Sequence, residues 1–392
     1  MTAPGETAHS IGTWALAREA YRSKHLRQAL FDGSVVMDDV LINLHGQDHR
    51  DRRRIENPLF RRDVQLEYER SRFPAVLEET LAPHLEDGRC ELMNFAHRAM
   101  LNLSCINAGI DRTLTGQETD RLLELLSEFI EGARIRHYQG DLETKVAEIA
   151  AAVAAFEAEF VEPSRLRRAE LVARGEELPP DILSRLVAHT DLDPSTMARE
   201  VAFYLTAGAS TSAVALTNTF DNLFRLYWAR PDDLGRLADN PAMVRRCIHE
   251  SLRLSPISPI GGRRATADFV FSDGTRIVSG ERVDIDIRSA NRDSEVFGPT
   301  ADEFDPDRAL PDGVPLHGFS FGHGMHHCIG AELAGGVDPE LADGFDQRLL
   351  GLVGVVVQEL LKVGVRLDPD DPPEIEDTTA RRAFRRFPVL IG

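Results

Sequence analysis

Apolar residues recur at intervals of three and four along most of the chain, and this pattern predicts a protein built mainly of helices. The interval is regular in residues 64–86 and 118–136, and in 142–171 it predicts one long helix or a broken pair. A proline pair at 179–180 marks a stop. Residues 196–229 form a longer and largely apolar run, which we expect to be a buried helix.

The period changes from helical to alternating in residues 268–287. Asp273-Gly274 is a typical hairpin turn, and the apolar residues Val283 and Ile285 alternate with polar neighbours. A small sheet is therefore predicted within the helical chain.

The composition is that of an ordinary globular protein. The chain has 392 residues, a net charge of −19 and no run approaching the roughly 20 apolar residues that a membrane span requires. Its first residues lack the basic start and the apolar run of a signal peptide. The acidic excess disfavours binding to nucleic acid. We therefore predict a cytoplasmic protein with neither a membrane nor a nucleic-acid partner.

Candidate chemistry centres on Cys328, in the stretch FGHGMHHCIG at residues 321–330. The four cysteines include no CxxC pair, which disfavours a disulfide framework and a four-thiolate zinc site. The alternatives for this stretch are zinc, haem iron, a redox thiol and a plain turn. Neighbouring ligands such as His327 and Cys328 rarely face one metal, and no partner cysteine is near. A thiolate stabilised by a following helix start, beside glycines that admit a flat cofactor, fits better.

This stretch resembles the haem-binding loop of the cytochrome P-450 family. The match is Phe321-Gly322-x-Gly324-x-His326-x-Cys328-x-Gly330-x-x-Leu333-Ala334. The resemblance implies that Cys328 is the axial thiolate ligand to the iron of heme b. It also implies a mainly α cytochrome P-450 fold, with one helical haem-binding domain over 1–392 and small β-sheets.

Further residues match the family in the expected order along the chain. The resemblance implies a structural network of three residues, Glu250, Arg253 and Arg308. Because haem carries two carboxylates, a pocket of low dielectric constant requires cationic partners. The implied cofactor contacts are His49, Arg53, Arg263, His326, Phe321, Gly322, Gly330 and Ala207.

The expected oxygen site departs from the family pattern. The family usually has an acid before the threonine of its long helix, whereas Ser210 precedes Thr211 here. Both residues are predicted to be catalytic, but neither hydroxyl is an acid suited to general acid catalysis. Protons must then arrive by another route, or the chemistry is not a simple hydroxylation.

Two further departures from the family pattern lie near the N-terminus and in the segment that follows the cysteine. His49 lies early, so we expect an N-terminally shortened fold that lacks its first helix and strands, with disorder over about residues 1–20. Gly335-Gly336 and Pro339 should interrupt the helix that follows the cysteine. Residues 335–347 are therefore predicted to be an insertion-like segment that alters the electron-donor surface.

The resemblance implies a monooxygenase that inserts one oxygen atom from O2 into a small organic substrate in secondary metabolism. A ferredoxin and its reductase would supply the electrons. Because Ser210 stands where the family usually has an acid, redirected chemistry is an alternative. It comprises peroxide-driven oxidation, ring formation, coupling or rearrangement. A non-catalytic haem-binding sensor is an alternative of another class. By family position, the expected substrate contacts are Val36, Met37, Phe203, Ile257, Ser258 and Thr378.

Overall fold

The computed structural model describes residues 8–339 and 349–392. Helices predominate in these ranges and the sheets are small, so the predicted fold class is confirmed. The α-helices are α1 Trp14–Arg22, α2 Gly46–Glu56, α3 Arg62–Glu67, α4 Phe73–Asp87, α5 Leu92–Ala108, α6 Gly116–Ala133, α7 Leu142–Phe156, α8 Glu162–Ala173, α9 Ile182–His189, α10 Pro194–Leu205, α11 Thr211–Leu226, α12 Pro231–Arg236, α13 Pro241–Leu254, α14 Ile287–Ala290, α15 Ser294–Phe297, α16 Ala331–Gly335 and α17 Gly351–Lys362. The strands are β1 Ala8–Ile11, β2 Leu26–Gln28, β3 Arg89–Glu91, β4 Ile260–Ala265, β5 Phe269–Val270, β6 Arg276–Ile277, β7 Arg282–Asp286, β8 Arg366–Leu367, β9 Glu374–Ile375, β10 Phe384–Arg386 and β11 Pro388–Leu390.

The described residues divide into two compact units. The first unit comprises residues 31–76 and 97–211, and the second comprises the described parts of 2–30, 77–96 and 212–392. The expectation of one domain over 1–392 stays a prediction.

Single π turns join successive helices. Residues Glu157–Val161 connect α7 to α8, so the segment predicted as one helix or a broken pair is continuous. Residues Thr206–Ser210 connect α10 to α11 in the same way. The side chain of Asp193 caps the start of α10 by accepting from the Thr196 N–H at 3.0 Å. The apolar run at 196–229 is therefore helical over most of its length and buried along much of it.

A four-stranded sheet with the order β1-β7-β4-β2 lies in the second unit. Strand β1 pairs with β7 in parallel, and the other two pairs are antiparallel. Val283 and Ile285 on β7 are fully buried, as their alternation predicted. The hairpin at Asp273-Gly274 joins β5 to β6.

The structure corrects one expectation near the start of the chain. Residues 8–28 form β1, α1 and β2, although disorder was expected over about residues 1–20. The expected loss of the first helix and strands of the family fold stays a prediction. The reason is packing, because Trp14 on α1 stacks on Phe319 at a centroid distance of 3.9 Å. Its partner is distant in sequence, so local composition did not reveal it.

The interruption after Cys328 is present. Helix α16 ends at Gly335, and Gly336 has a φ of +77°, which favours glycine. Helix α17 then begins at Gly351. The remainder of the predicted insertion, residues 340–347, lies outside the described residues.

Candidate functional site

The loop that carries Cys328 folds back on itself. The Cys328 backbone N–H donates to the Phe321 carbonyl oxygen at 2.8 Å. Gly322 and Gly324 have φ values of +68° and +72°, and a Cβ at Gly324 would lie 2.5 Å from the carbonyl oxygen of Tyr21. Both glycines are therefore required by the turn.

Cys328 is exposed, whereas the other three cysteines are buried. Burial raises the pKa of Cys90 and of Cys247 to about 12, and it also raises the pKa of Cys105. Those three thiols stay protonated at neutral pH, which leaves Cys328 as the candidate thiolate. Helix α16 has only five residues, so its dipole supports that thiolate less than the sequence suggested.

The structure brings Glu250, Arg253 and Arg308 together. The Nε and Nη2 groups of Arg253 donate to the two carboxylate oxygens of Glu250 at 2.7 and 2.8 Å. Arg308 approaches Glu250 Oε1 with its Nε at 3.4 Å. All three side chains are buried, so each charge depends on the others for its compensation.

Asn291 links this network to the chain that leads to Cys328. Its side-chain amide donates to the Arg253 carbonyl oxygen at 3.1 Å and accepts from the Phe319 N–H at 2.7 Å. The Ser320 hydroxyl also donates to the Leu252 carbonyl oxygen at 2.7 Å. Helix α13 thus fixes the position at which the cysteine loop begins.

Arg263 is a buried cation without a carboxylate partner among the described residues. Its guanidinium lies 5.0 Å from the centroid of the Tyr21 ring and donates to the Gly262 carbonyl oxygen at 2.9 Å. Other buried arginines, such as Arg168 and Arg253, pair with an aspartate or a glutamate. Burial lowers the pKa of Arg263. A ligand with a carboxylate would supply the missing charge.

The remaining predicted propionate contacts occupy two places. His326 ends a short 3₁₀ turn in the second unit and is half-buried. His49 and Arg53 are four residues apart on α2 of the first unit, so they share a helix face. Burial, with a smaller contribution from the charge of Arg53, lowers the pKa of His49 to about 4. Its imidazole is then neutral, with an N–H that can donate.

Thr211 follows the π turn at Thr206–Ser210. Its hydroxyl donates to the Ala207 carbonyl oxygen at 2.5 Å, while Ser210 is buried. A Cβ at Gly208 would lie 2.7 Å from the Ser104 hydroxyl oxygen, so α5 packs directly on the turn. π turns often occur at functional sites. The two residues predicted for the oxygen site, Ser210 and Thr211, and the predicted cofactor contact Ala207 lie at this one.

A buried acid network in the first unit was not predicted from the sequence. The Tyr204 hydroxyl donates to Glu56 Oε2 at 2.6 Å, and the Arg52 guanidinium pairs with Glu200. The Leu41 N–H donates to Glu200 Oε1 at 3.0 Å. Burial raises the pKa of Glu56 well above its ordinary value and that of Glu200 to about 7. The available signal was an acid, Glu200, within the apolar run of α10.

The predicted substrate contacts have unequal environments. Val36, Met37 and Phe203 are buried apolar side chains of the first unit. Ile257 packs on an apolar cluster of the second unit. Ser258 and Thr378 are exposed, and the Thr378 hydroxyl donates to Glu376 at 2.6 Å.

Within the described residues, no helix combines the length and the apolar composition that crossing a membrane requires.

A family model described as Cytochrome P450 matches residues 238–335. The Cytochrome P450-SU2 of Streptomyces griseolus is 38% identical over 167 residues, which are 42% of this chain and 39% of the relative. The Vitamin D(3) 25-hydroxylase of Pseudonocardia autotrophica is 34% identical over 236 residues, 57% of this chain and 51% of the relative. The Mycinamicin IV hydroxylase/epoxidase of Micromonospora griseorubida is 32% identical, over 41% of this chain and 39% of the relative. The matched part spans about two fifths to a half of the length of these relatives.

Solved structures match over nearly the whole chain. P450BioI, in a complex with an acyl carrier protein, has a TM-score of 0.77 at 18% identity. The match covers 100% of this chain and 94% of P450BioI. CalO2 has a TM-score of 0.75 at 20% identity, with 98% of this chain and 90% of CalO2 covered. At these identities the matches establish the fold alone.

Proposed function

We propose that the chain is a cytochrome P450 and acts as a haem-thiolate monooxygenase that inserts one oxygen atom from O2 into a small organic substrate. The observation that carries the proposal is the position of Cys328. It is the one exposed cysteine of the four. It ends a turn whose backbone conformation requires glycines and whose start is hydrogen-bonded to α13.

The residues of the site fit the heme b that the family implies. Cys328 would hold the haem iron through its thiolate, and the buried Arg263 lacks the anion that a haem propionate would provide. His326, His49 and Arg53 would hold the propionates with it. Phe321, Gly322, Gly330 and Ala207 would be the remaining contacts. When bound, haem supplies the activation of O2, and a thiolate ligand favours cleavage of the O–O bond.

The residues of α10 and α11 would handle the protons. The Thr211 hydroxyl donates to the Ala207 carbonyl oxygen in this structure, and rotation about its Cα–Cβ bond would redirect that proton away from the helix. Ser210 can relay a proton through water but cannot replace the acid that the family usually carries. Thr211 would therefore hold and orient a proton that originates elsewhere.

The substrate is proposed to be an apolar secondary metabolite. Val36, Met37 and Phe203 are apolar and buried, and buried apolar side chains are typical of small-molecule pockets. The names of two relatives, a hydroxylase/epoxidase of mycinamicin IV and a hydroxylase of vitamin D(3), support the class without identifying the molecule. A ferredoxin with its reductase is the proposed electron donor.

Redirected chemistry is the second candidate, and Ser210 is the observation that favours it. Peroxide-driven oxidation, ring formation, coupling or rearrangement would each relax the need for a distal acid.

The test begins with the carbon monoxide difference spectrum of the reduced, haem-loaded protein. Wild type should give the Soret band of a thiolate-ligated haem, and Cys328→Ser should lose it. Absence of that band from a folded, haem-loaded wild type would refute the proposal. Turnover is then compared between NADPH with ferredoxin and reductase, and hydrogen peroxide alone. Product from peroxide alone favours redirected chemistry, and ligand-induced spectral shifts without any product favour a sensor.

A further inference from the structure

Three buried side chains, His249, His317 and Asp338, each place one potential ligand atom within 4.8 Å of the other two. His249 lies on α13, His317 precedes the cysteine loop, and Asp338 follows the end of α16. Among the residues the structure describes, no other histidine, cysteine or acidic side chains meet in this way. We propose that this His–His–Asp cluster binds a divalent first-row metal ion, of which Zn²⁺ is the best fit.

The hydrogen bonds define which nitrogen of His249 is available. His249 Nε2 lies 3.0 Å from the Gly335 carbonyl oxygen. A carbonyl can only accept, so Nε2 carries the hydrogen and Nδ1 carries the lone pair. Metal-ligating histidines usually make such a bond with their other nitrogen.

Two buried imidazole nitrogens lack a hydrogen-bond partner. His249 Nδ1 and His317 Nδ1 are both inaccessible to solvent, and neither has a hydrogen-bond partner among the described residues. Buried polar atoms are normally satisfied, so each exception requires an explanation. One metal ion would satisfy both nitrogens.

Aromatic packing explains part of the arrangement. The rings of His249 and His317 are 5.3 Å apart at 62°, and those of His317 and Phe321 are 4.9 Å apart at 78°. These edge-to-face contacts account for the ring orientations. They do not supply a hydrogen-bond partner for His249 Nδ1 or His317 Nδ1.

The surroundings keep both imidazoles in the form that binds a metal ion. Burial lowers the pKa of both His249 and His317, which keeps the imidazoles in their neutral, metal-binding form. The charge of Arg245 acts on His249 in the same direction, whereas that of Asp338 opposes it. Asp338 contributes the negative charge that a divalent ion requires.

The donor set selects the metal. Two imidazole nitrogens and one carboxylate oxygen suit Zn²⁺ or a neighbouring transition metal rather than Ca²⁺ or Mg²⁺. Tetrahedral Zn²⁺ places its ligand atoms about 3.3 Å apart, so modest side-chain rotation would close the site. The ion would connect α13, which carries Glu250 and Arg253, to the chain that leads to Cys328.

The experiment uses haem-loaded protein, so that Cys328 does not compete for the metal, after dialysis against a chelator. Calorimetric titration with ZnCl2 should give one site per chain, and Zn²⁺ should raise the melting temperature. X-ray absorption at the zinc edge should show nitrogen and oxygen ligands with an imidazole signature and no sulfur. His317→Gln and Asp338→Asn should weaken binding at least about tenfold. His189→Gln, which changes an exposed histidine at the end of α9, should match wild type.

Equal zinc affinity in wild type, His317→Gln and Asp338→Asn would overturn the site. Sulfur ligands in the absorption spectrum, or no zinc bound by folded wild type, would do the same. If a variant fails to fold, the titration and the spectrum of wild type decide alone. The measurement requires no turnover, so its result is independent of the proposed monooxygenase activity.

Discussion

Arg253 and Glu250 face each other across one turn of α13 through two hydrogen bonds, of 2.7 and 2.8 Å, with no solvent exposure of either side chain. Water cannot replace a lost partner at such a site. The pair also holds Asn291, which fixes the start of the cysteine loop. It therefore connects the stability of the second unit with the geometry of its candidate ligand.

Glu250→Gln is expected to reduce the free energy of unfolding by about 3–5 kcal/mol, because it leaves two buried guanidinium groups without their counter-charge. Urea unfolding followed by circular dichroism measures the change. Glu359→Gln is the matched control, since Glu359 pairs with Lys362 at the same i,i+3 spacing on an exposed surface. The control should lose less than about 0.5 kcal/mol. Equal losses in the two variants would show that burial does not set the cost.

Arg263→Gln is expected to speed haem release by a factor of about 10 or more, because a charge-assisted hydrogen bond contributes about 1.5–3 kcal/mol. Haem transfer to an excess of apomyoglobin measures the rate. Arg264 is the next residue on β4 and donates to the Gly280 carbonyl oxygen on the exposed side. Arg264→Gln should release haem at the wild-type rate, and a similar acceleration in both variants would argue against a propionate contact.

Thr211→Ala is expected to divert reducing equivalents into hydrogen peroxide. The amount of product per NADPH should fall by a factor of about 10, because the variant loses one hydrogen bond of about 1–1.5 kcal/mol. Thr219→Ala is the control, because the Thr219 hydroxyl also bonds the carbonyl four residues earlier, at 2.8 Å. The hydrogen peroxide formed and the NADPH consumed are measured in the same reaction. Coupling that is identical in wild type and Thr211→Ala would remove this hydroxyl from the proton route.

Glu56→Gln should make stability less dependent on pH. The pKa of Glu56 is raised in the folded state by burial and by Glu200. As the pH rises above about 4.3, unfolded Glu56 loses its proton while folded Glu56 keeps it, so stability falls. For the neighbouring Glu200, this fall extends to its folded pKa of about 7. Wild type should therefore lose more stability than the variant between pH 5 and 8.

Urea unfolding at both pH values tests the Glu56 prediction. Glutamine keeps the oxygen that accepts from Tyr204 but does not titrate. Glu67→Gln, at a half-exposed site on α3, should follow wild type. The prediction is wrong if wild type and Glu56→Gln lose equal stability.

Gly336→Ala is expected to destabilise the protein by more than Gly298→Ala. Both residues have a φ of +77° and an extended ψ, so both variants bear the same backbone strain, about 1–3 kcal/mol. A Cβ at Gly336 would also lie 2.7 Å from the Leu350 carbonyl oxygen, whereas Gly298 has open space. The difference between their melting temperatures measures the crowding around this Cβ, and equal shifts would show that the turn relaxes freely.

Features that depend on neighbours in sequence were predicted well. The apolar spacing located the long helices, and the glycine pair marked the end of α16. Each depends on positions within a few residues of one another, where helix geometry alone determines which side chains meet.

Features that depend on distant segments were not predicted. Tyr21 beneath Arg263 and Glu56 beside Tyr204 join residues more than 100 positions apart. The π turn at Thr206–Ser210 adds a residue to a turn without changing the apolar composition, so the pattern gave no sign of it. The tertiary packing that fixes these features is invisible in a single sequence.

Because one thiol is exposed and three are buried, thiol labelling can measure the fraction of molecules that carry the cofactor. A thiol-specific label should reach Cys328 in the haem-free chain, while Cys90, Cys105 and Cys247 stay protonated inside the folded protein. Coordination of Cys328 would remove that reaction. The number of labels per folded chain, between one and zero, then reports the fraction of molecules without haem.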